Sequence, residues 1–187
     1  MKNISILSAS VRNGRNSHRV ALYFKQYLEE NKLANVTIID LKEYNFPIFE
    51  ERLRFISDPS EAMLSFANEV TKADGIILVT PEYNGGYPAS LKNAIDLLYA
   101  EWKRKPIAIA SVSAGAFAGA QVLTSLQFSL WKIGALTIPA MFPVGTVEKT
   151  FDENGIPSDV AGTDKRAAVF INELMYWVDA KHKMETE

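Results

Sequence analysis

The chain reads as an α/β domain with a doubly wound, five-stranded parallel sheet in the order 2-1-3-4-5 and helices on both faces. Three observations carry that reading. Short apolar runs alternate five times with longer stretches of helical period along the 187 residues. The run Ile76-Ile77-Leu78-Val79 is apolar at every position, as expected of a central strand covered on both sides. The length suits one domain, and 48% hydrophobic against 22% charged residues is ordinary for a packed core.

Taken in order, Ile4-Ser5-Ile6-Leu7 is the first strand. The helix after it carries Val20, Tyr23, Phe24, Tyr27 and Leu28 on one face. Val36-Thr37-Ile38-Ile39 is β-branched throughout and forms the second strand. Asp58-Pro59-Ser60-Glu61 starts a helix, with Asp58 as the cap, proline in the first turn and glutamate three residues after the cap. Met63, Phe66, Ala67 and Val70 are its buried stripe. The third strand is Ile76–Val79, and Pro88 opens a helix that turns Leu91, Ala94, Ile95 and Leu98 inward. Ile107–Ala110 is the fourth strand, followed by a helix with Leu123, Leu126, Leu130 and Ile133. Leu136–Ile138 and Val144–Val147 compete to be the fifth strand, with Pro139 and Pro143 interrupting. A last helix carries Phe170, Leu174, Trp177 and Val178. The expected domain is 1–180, with 181–187 a solvated, flexible tail.

Composition removes several functions. Twenty Lys and Arg against 22 Asp and Glu give a net charge of −2, without the positive excess a nucleic-acid binder needs. The absence of cysteine removes disulfides, thiolate metal sites and thiol catalysis, and His18 and His182 are too few for a multi-histidine zinc site. Ile4–Leu7 is too brief for a signal peptide, and no window approaches the 18 or so apolar residues of a membrane span. The expectation is a cytoplasmic protein.

In such sheets a ligand binds beyond the carboxyl ends of the strands, where the strand order reverses. That selects the loops Ser8–Ser17, Pro81–Tyr87 and Ser111–Gly119, all rich in small and polar residues. The first places many backbone N–H groups at a helix start, where a phosphate is welcome. Arg12 offers a bidentate contact there, and Ser10, Asn16 and Ser17 offer neutral donors. It lacks the Gly-Lys-Ser/Thr ending of a Walker loop, and Gly14 stands alone where a dinucleotide fingerprint needs three glycines. A polar turn capped by Ser17 is the plainer alternative. In the second loop Asn84-Gly85-Gly86 permits positive φ and close backbone approach, with Tyr83 and Tyr87 available to an aromatic ring or to ordinary packing. In the third, Gly115 and Gly119 suit either close helix–sheet packing or a wall for a planar ring.

Pro81-Glu82-Tyr83-Asn84-Gly85, followed by Pro88 and Leu91-Lys92-Asn93-Ala94-Ile95-Asp96, closely resembles the hallmark of the NADPH-dependent FMN reductase family. The resemblance spans roughly Lys2 to Val178 and implies a flavodoxin-like fold; the family includes quinone, chromate and azo-dye reductases. It implies an FMN phosphate on the first loop, held through Ser10, Arg12, Asn16 and Ser17, with His18 as a neighbour. Pro81, Glu82, Tyr83, Asn84 and Gly85 are implied flavin contacts on the second loop, and Ser113, Gly115 and Ala116 on the third. Ala9 stands where the family has glycine, and Ala120 replaces a frequent second glycine. Phe46-Pro47-Ile48-Phe49-Glu50-Glu51 resembles a family segment found near the pocket or a subunit contact.

The implied activity is hydride transfer from NADPH or NADH, a transient co-substrate, to bound FMN. From there it passes to a small-molecule acceptor such as a quinone, a flavin, an azo compound or chromate. Stacking and proximity dominate such a step, so no catalytic side chain is expected, and no metal. An FMN-bearing electron carrier or redox sensor would share the fold and loops. A hydrolase or transferase wants paired carboxylates in the crevice, where Glu82 stands almost alone. Leu97, Tyr99 and Trp102, beyond the inward stripe of their helix, suggest a homodimer or homotetramer face; packing beneath the Phe46–Phe55 loop is the competing explanation.

Overall fold

The computed structural model describes residues 1–186. Five strands, β1 (Asn3–Ser8), β2 (Asn35–Asp40), β3 (Gly75–Pro81), β4 (Pro106–Val112) and β5 (Leu136–Met141), form one parallel sheet in the order β2-β1-β3-β4-β5. Between them run α1 (Ser17–Glu30), α2 (Leu41–Tyr44), α3 (Glu61–Lys72), α4 (Ala89–Leu97) and α5 (Ala120–Lys132); α6 (Val147–Thr150) and α7 (Val160–Thr186) follow β5. The expected architecture and strand order are those observed.

Successive strand residues point to opposite faces, and the core divides accordingly. Ile4, Ile6, Ile77, Val79, Ala108 and Ala110 pack with Val20, Phe24 and Leu28 of α1 and Phe170, Leu174 and Val178 of α7. Leu7, Ile76, Leu78, Ile107 and Ile109 pack on the other side with Phe66 and Val70 of α3, Leu91 and Ile95 of α4, and Leu126 and Leu130 of α5. Every residue of β3 is buried, which is why Ile76–Val79 shows no alternation.

Three local readings change. α3 is capped by Ser60, whose hydroxyl accepts from Met63 N–H at 3.3 Å, and not by Asp58; Glu61 then enters the first turn, where its charge suits the helix dipole. Both candidates for the fifth strand are used in tandem. Leu136–Met141 pairs with β4, tolerating Pro139 because β5 is an edge strand, and Val144 then makes a single parallel bridge to Val112, where β4 outruns β5. Val147 begins a short helix instead of ending a strand. Where a tail was expected, α7 continues to Thr186, held beneath the sheet by Lys2–Asp179 at 2.7 Å and His182–Asp74 at 3.0 Å; Glu187 lies outside the described residues.

The apolar surplus on α4 is also resolved. Leu97 and Trp102 are buried, with Trp102 Nε1–H donating to the Ile95 carbonyl at 3.1 Å. Tyr99 lies 4.7 Å beneath the Arg52 guanidinium. Leu97 and Trp102 thus pack internally, while Tyr99 stays exposed under Arg52, so two of the three residues behind the oligomer expectation are core residues. No helix among the described residues is long and apolar enough to cross a membrane.

Candidate cofactor site

Strand order reverses between β1 and β3, and the site is built at their carboxyl ends. The register sets Ser8 beside Asp40 on one side and beside Val79 on the other. The next residue, Ala9, is fully buried; its N–H donates to the Val79 carbonyl at 3.0 Å, and its own carbonyl accepts from Ser90 Oγ at 2.7 Å. Its φ is not positive and its methyl joins the α3–α5 side of the core. Alanine at the family's glycine position is thus accommodated with its backbone hydrogen-bonded to β3 and α4 and without positive φ.

Beyond Ala9 the loop is pinned by a residue that the sequence argument passed over. Arg15 forms a bidentate ion pair with Asp40 and donates to the Ser10 carbonyl at 2.8 Å. Burial works against the charged form of Asp40, but the Arg15 hydrogen bonds, the Lys42 N–H and the charges of Arg15 and His18 outweigh it and hold the carboxyl below its usual range. Gly14, at φ +65°, makes the turn that brings Arg15 back. Two arginines, Arg12 and Arg15, share this loop and Arg19 follows in α1; only the folded register shows which one meets Asp40.

α1 begins at Ser17 without a side-chain cap. Asn16 precedes it, but its amide donates instead to Glu148 Oε1 at 2.6 Å. The Ser17 hydroxyl is buried, the residue being 3% exposed, and has no hydrogen-bond partner among the described residues. Such a group is expensive to leave unpaired, about 1–3 kcal/mol. It lies at a cavity of about 210 Å³ lined by Ser10, Arg12, Asn16, Pro81, Glu82, Tyr83 and Ser113, with Val147 and Glu148 closing one side. Ser10 Oγ and Tyr83 Oη are 2.7 Å apart, tying the first loop to the second. No carboxylate among the described residues pairs with Arg12, whose charge is left to the cavity.

The second loop is a two-residue hairpin. Asn84 and Gly85 both have positive φ, 52° and 80°, and Tyr83 and Gly86 exchange backbone hydrogen bonds at 2.8 and 3.0 Å. That is the geometry Asn-Gly favours. Tyr87 Oη, 2.7 Å from Ser129 Oγ, fastens the loop to α5. The Glu82 carboxylate accepts from the Gln121 and Val122 N–H groups at 2.9 and 3.2 Å, so it caps α5. In the third loop Ser113 Oγ donates to the Gly115 carbonyl, which also accepts from Thr146 N–H at 3.0 Å.

Eight of the residues selected from sequence thus line one cavity: Ser10, Arg12, Asn16, Ser17, Pro81, Glu82, Tyr83 and Ser113. Five do not. Asn84 and Gly85 form the exposed hairpin tip. Gly115 and Ala116 back onto Gly145, where a Cβ would meet their carbonyls at 3.1 and 3.0 Å. His18 turns its Nδ1 to Ser8 Oγ at 3.0 Å and lies 3.7 Å from Asp40, in a separate depression beside Arg19 and Glu153. Burial and the Arg15 charge lower its pKa against the pull of Asp40 and Glu43. Glu148 was invisible to sequence reasoning, standing 132 positions from its partner Asn16. Among the described residues no cluster of acidic or histidine side chains could hold a metal ion.

A doubly wound parallel sheet in this strand order is of the flavodoxin-like class, and the open helix N-terminus and unpaired hydroxyl at its switch point are groups of the kind that accept an anion. Comparison with known proteins narrows this. Residues 2–149 match the model of the NADPH-dependent FMN reductase family. The chain is 32% identical over 162 residues to the NAD(P)H-dependent FMN reductase LOT6 of Saccharomyces cerevisiae, covering 77% of this chain and 83% of that protein. It is 29% identical over 183 residues to a quinone reductase of Pseudomonas putida, covering 94% of each. Among solved structures, the flavoenzyme NAD(P)H:(acceptor) oxidoreductase FerB of Paracoccus denitrificans superposes with a TM-score of 0.72 at 23% identity, over 96% of each chain. The chain belongs to the NADPH-dependent FMN reductase family and is an oxidoreductase that uses FMN with NAD(P)H as electron donor. The unpaired Ser17 hydroxyl at the uncapped start of α1 is a donor set that fits the FMN phosphate.

Proposed function

We propose that the cavity between the first, second and third loops holds the FMN phosphate, and that the chain reduces a small acceptor such as a quinone, a flavin, an azo compound or chromate at the expense of NADPH or NADH. The observation that carries the assignment is the buried, unpartnered Ser17 hydroxyl at an uncapped helix start. When bound, FMN supplies the hydride-accepting and hydride-donating chemistry. The protein's part is to bind and orient. Ser17, Ser10, Arg12 and the first N–H groups of α1 supply donors to an anion, while the Arg15–Asp40 pair keeps the loop in the shape that presents them. The Asn84–Gly85 hairpin and Ser113 stand on the side of the crevice where a planar ring would lie; the hairpin's backbone N–H groups are available to charge on that ring, while Ser113 N–H is taken by the Val144 carbonyl at 2.9 Å. Glu82 acts as a positioning residue, fastening the second loop to α5.

We also place the enzyme in the cytoplasm, with its NAD(P)H supply, as a homodimer or homotetramer. The oligomer is supported by the exposed aromatic pair of Phe128 and Trp131 on α5, whose rings are 5.9 Å apart. The test is a visible spectrum of protein loaded with FMN and desalted, before and after anaerobic NADPH or NADH, with light scattering for the assembly. A retained flavin band that bleaches supports the reductase. A retained band that neither nucleotide bleaches would instead mark an electron carrier or sensor, and no retained flavin would remove the site assignment.

A further inference from the structure

The cavity lined by Ser17, Ser10 and Arg12 already faces an anion of the protein's own. Glu148 sits on α6, entered through Thr146 at φ +46°, and its carboxylate accepts from Asn16 Nδ2–H at 2.6 Å across the cavity mouth. The segment that carries it is anchored on both sides. Thr146 N–H donates to the Gly115 carbonyl at 3.0 Å and Val147 N–H to the Ser113 carbonyl at 3.2 Å; the Phe151 carbonyl accepts from Arg19 Nη1 of α1 at 2.9 Å. Asn16 for its part turns away from the ordinary capping role, in which its side-chain oxygen would accept from the first N–H groups of α1. A cavity of about 210 Å³ is only about 7 Å across, so a second anion within it lies inside one Debye length of Glu148 at physiological salt.

We infer that Glu148 sets how tightly this cavity holds a phosphate-bearing ligand and how strongly it prefers that ligand over its phosphate-free form. The inference rests on the proposed assignment of the cavity to the FMN phosphate. With no anion present, Glu148 closes the mouth through Asn16. When the phosphate dianion enters, the carboxylate repels it and gives up the Asn16 amide, which becomes one more donor to the newcomer. FMN is therefore bound more weakly than Ser17, Ser10, Arg12 and the helix start alone would bind it, and exchanges faster. A flavin without phosphate is indifferent to Glu148.

The test is titration of flavin fluorescence with the full-length protein, using FMN and riboflavin as probes at low and high salt. Glu148→Gln keeps an acceptor for Asn16 and removes only the charge. It is expected to lower the FMN Kd roughly tenfold at low salt, less at high salt, and to leave riboflavin within about twofold. Asn16→Asp, which retains a good capping residue, adds charge at the same mouth and is expected to raise the FMN Kd by a similar factor. If the wild type prefers FMN to riboflavin but Glu148→Gln binds FMN no more tightly, the role of Glu148 is overturned while the phosphate site stands. A wild type that binds FMN and riboflavin equally removes the phosphate assignment and this inference together.

Discussion

Replacing Ser17 by alanine has two effects of opposite sign, and together they isolate the proposed anion site. In the ligand-free protein the Ser17 hydroxyl is buried with no partner among the described residues, so deleting it relieves an unsatisfied polar group. About 1 kcal/mol of stability is the expected gain, at the low end of the range for such groups because the cavity beside it admits water. For a chain of 187 residues that corresponds to roughly 2–4 °C in melting temperature. Under the proposed assignment the same hydroxyl would donate to a phosphate oxygen of FMN, and a hydrogen bond to a charged group contributes about 1.5–3 kcal/mol. Ser17→Ala is accordingly expected to melt higher than the wild type without ligand and to bind FMN about 10- to 100-fold more weakly. Riboflavin affinity is expected to be unchanged. Thermal unfolding of the ligand-free protein and fluorescence titration with both flavins read the two effects separately. A variant that melts lower and keeps full FMN affinity would refute the reasoning, since Ser17 would then be a structural cap.

Further predictions follow from the groups around the site and beneath the sheet. Arg15→Ala leaves buried Asp40 with the Lys42 N–H as its hydrogen-bond partner and His18 3.7 Å away, and urea unfolding at pH 7 is expected to show a loss of about 3 kcal/mol. Adding Asp40→Asn is expected to recover at least about 1 kcal/mol of that loss, and strictly additive single effects would deny the pair its role. Glu82→Gln weakens the cap on α5 and is expected to lower the melting temperature by roughly 2–4 °C, about 1 kcal/mol. An unchanged melting temperature with lost riboflavin affinity would make Glu82 a flavin contact instead. Lys105, buried with its ammonium on the Ala73 and Thr71 carbonyls, is pushed down to about 8 by burial and the Lys181 charge, against Asp74 and Glu185. Its ordinary value is 10.5, so between these limits the unfolded chain holds more protons than the folded one. The wild type is therefore expected to gain stability relative to Lys105→Met as pH rises through that window; a flat or falling difference would show that Lys105 titrates normally.

The sequence by itself determined the sheet, its order and the three loops that meet at the switch point. Strand and helix periods are local, so Ile76–Val79 and the stripe from Leu91 to Leu98 declare themselves within a few residues. The Asn84-Gly85 turn is equally local, being a matter of which residues accept positive φ. What only the tertiary structure decided is which polar side chains the protein consumes and which it leaves open. Arg15 is spent on Asp40 because the parallel register sets β2 beside β1, and Glu82 is spent on α5 because its first turn lies across from β3. His18 is drawn to Ser8 and Asp40, while Ser17, one residue away, faces the cavity without a partner. Glu148 reaches Asn16 only because the chain after β5 returns to the start of α1. A local pattern states what a residue is able to do; its partners lie tens to more than a hundred positions away, and only packing brings them within hydrogen-bond reach.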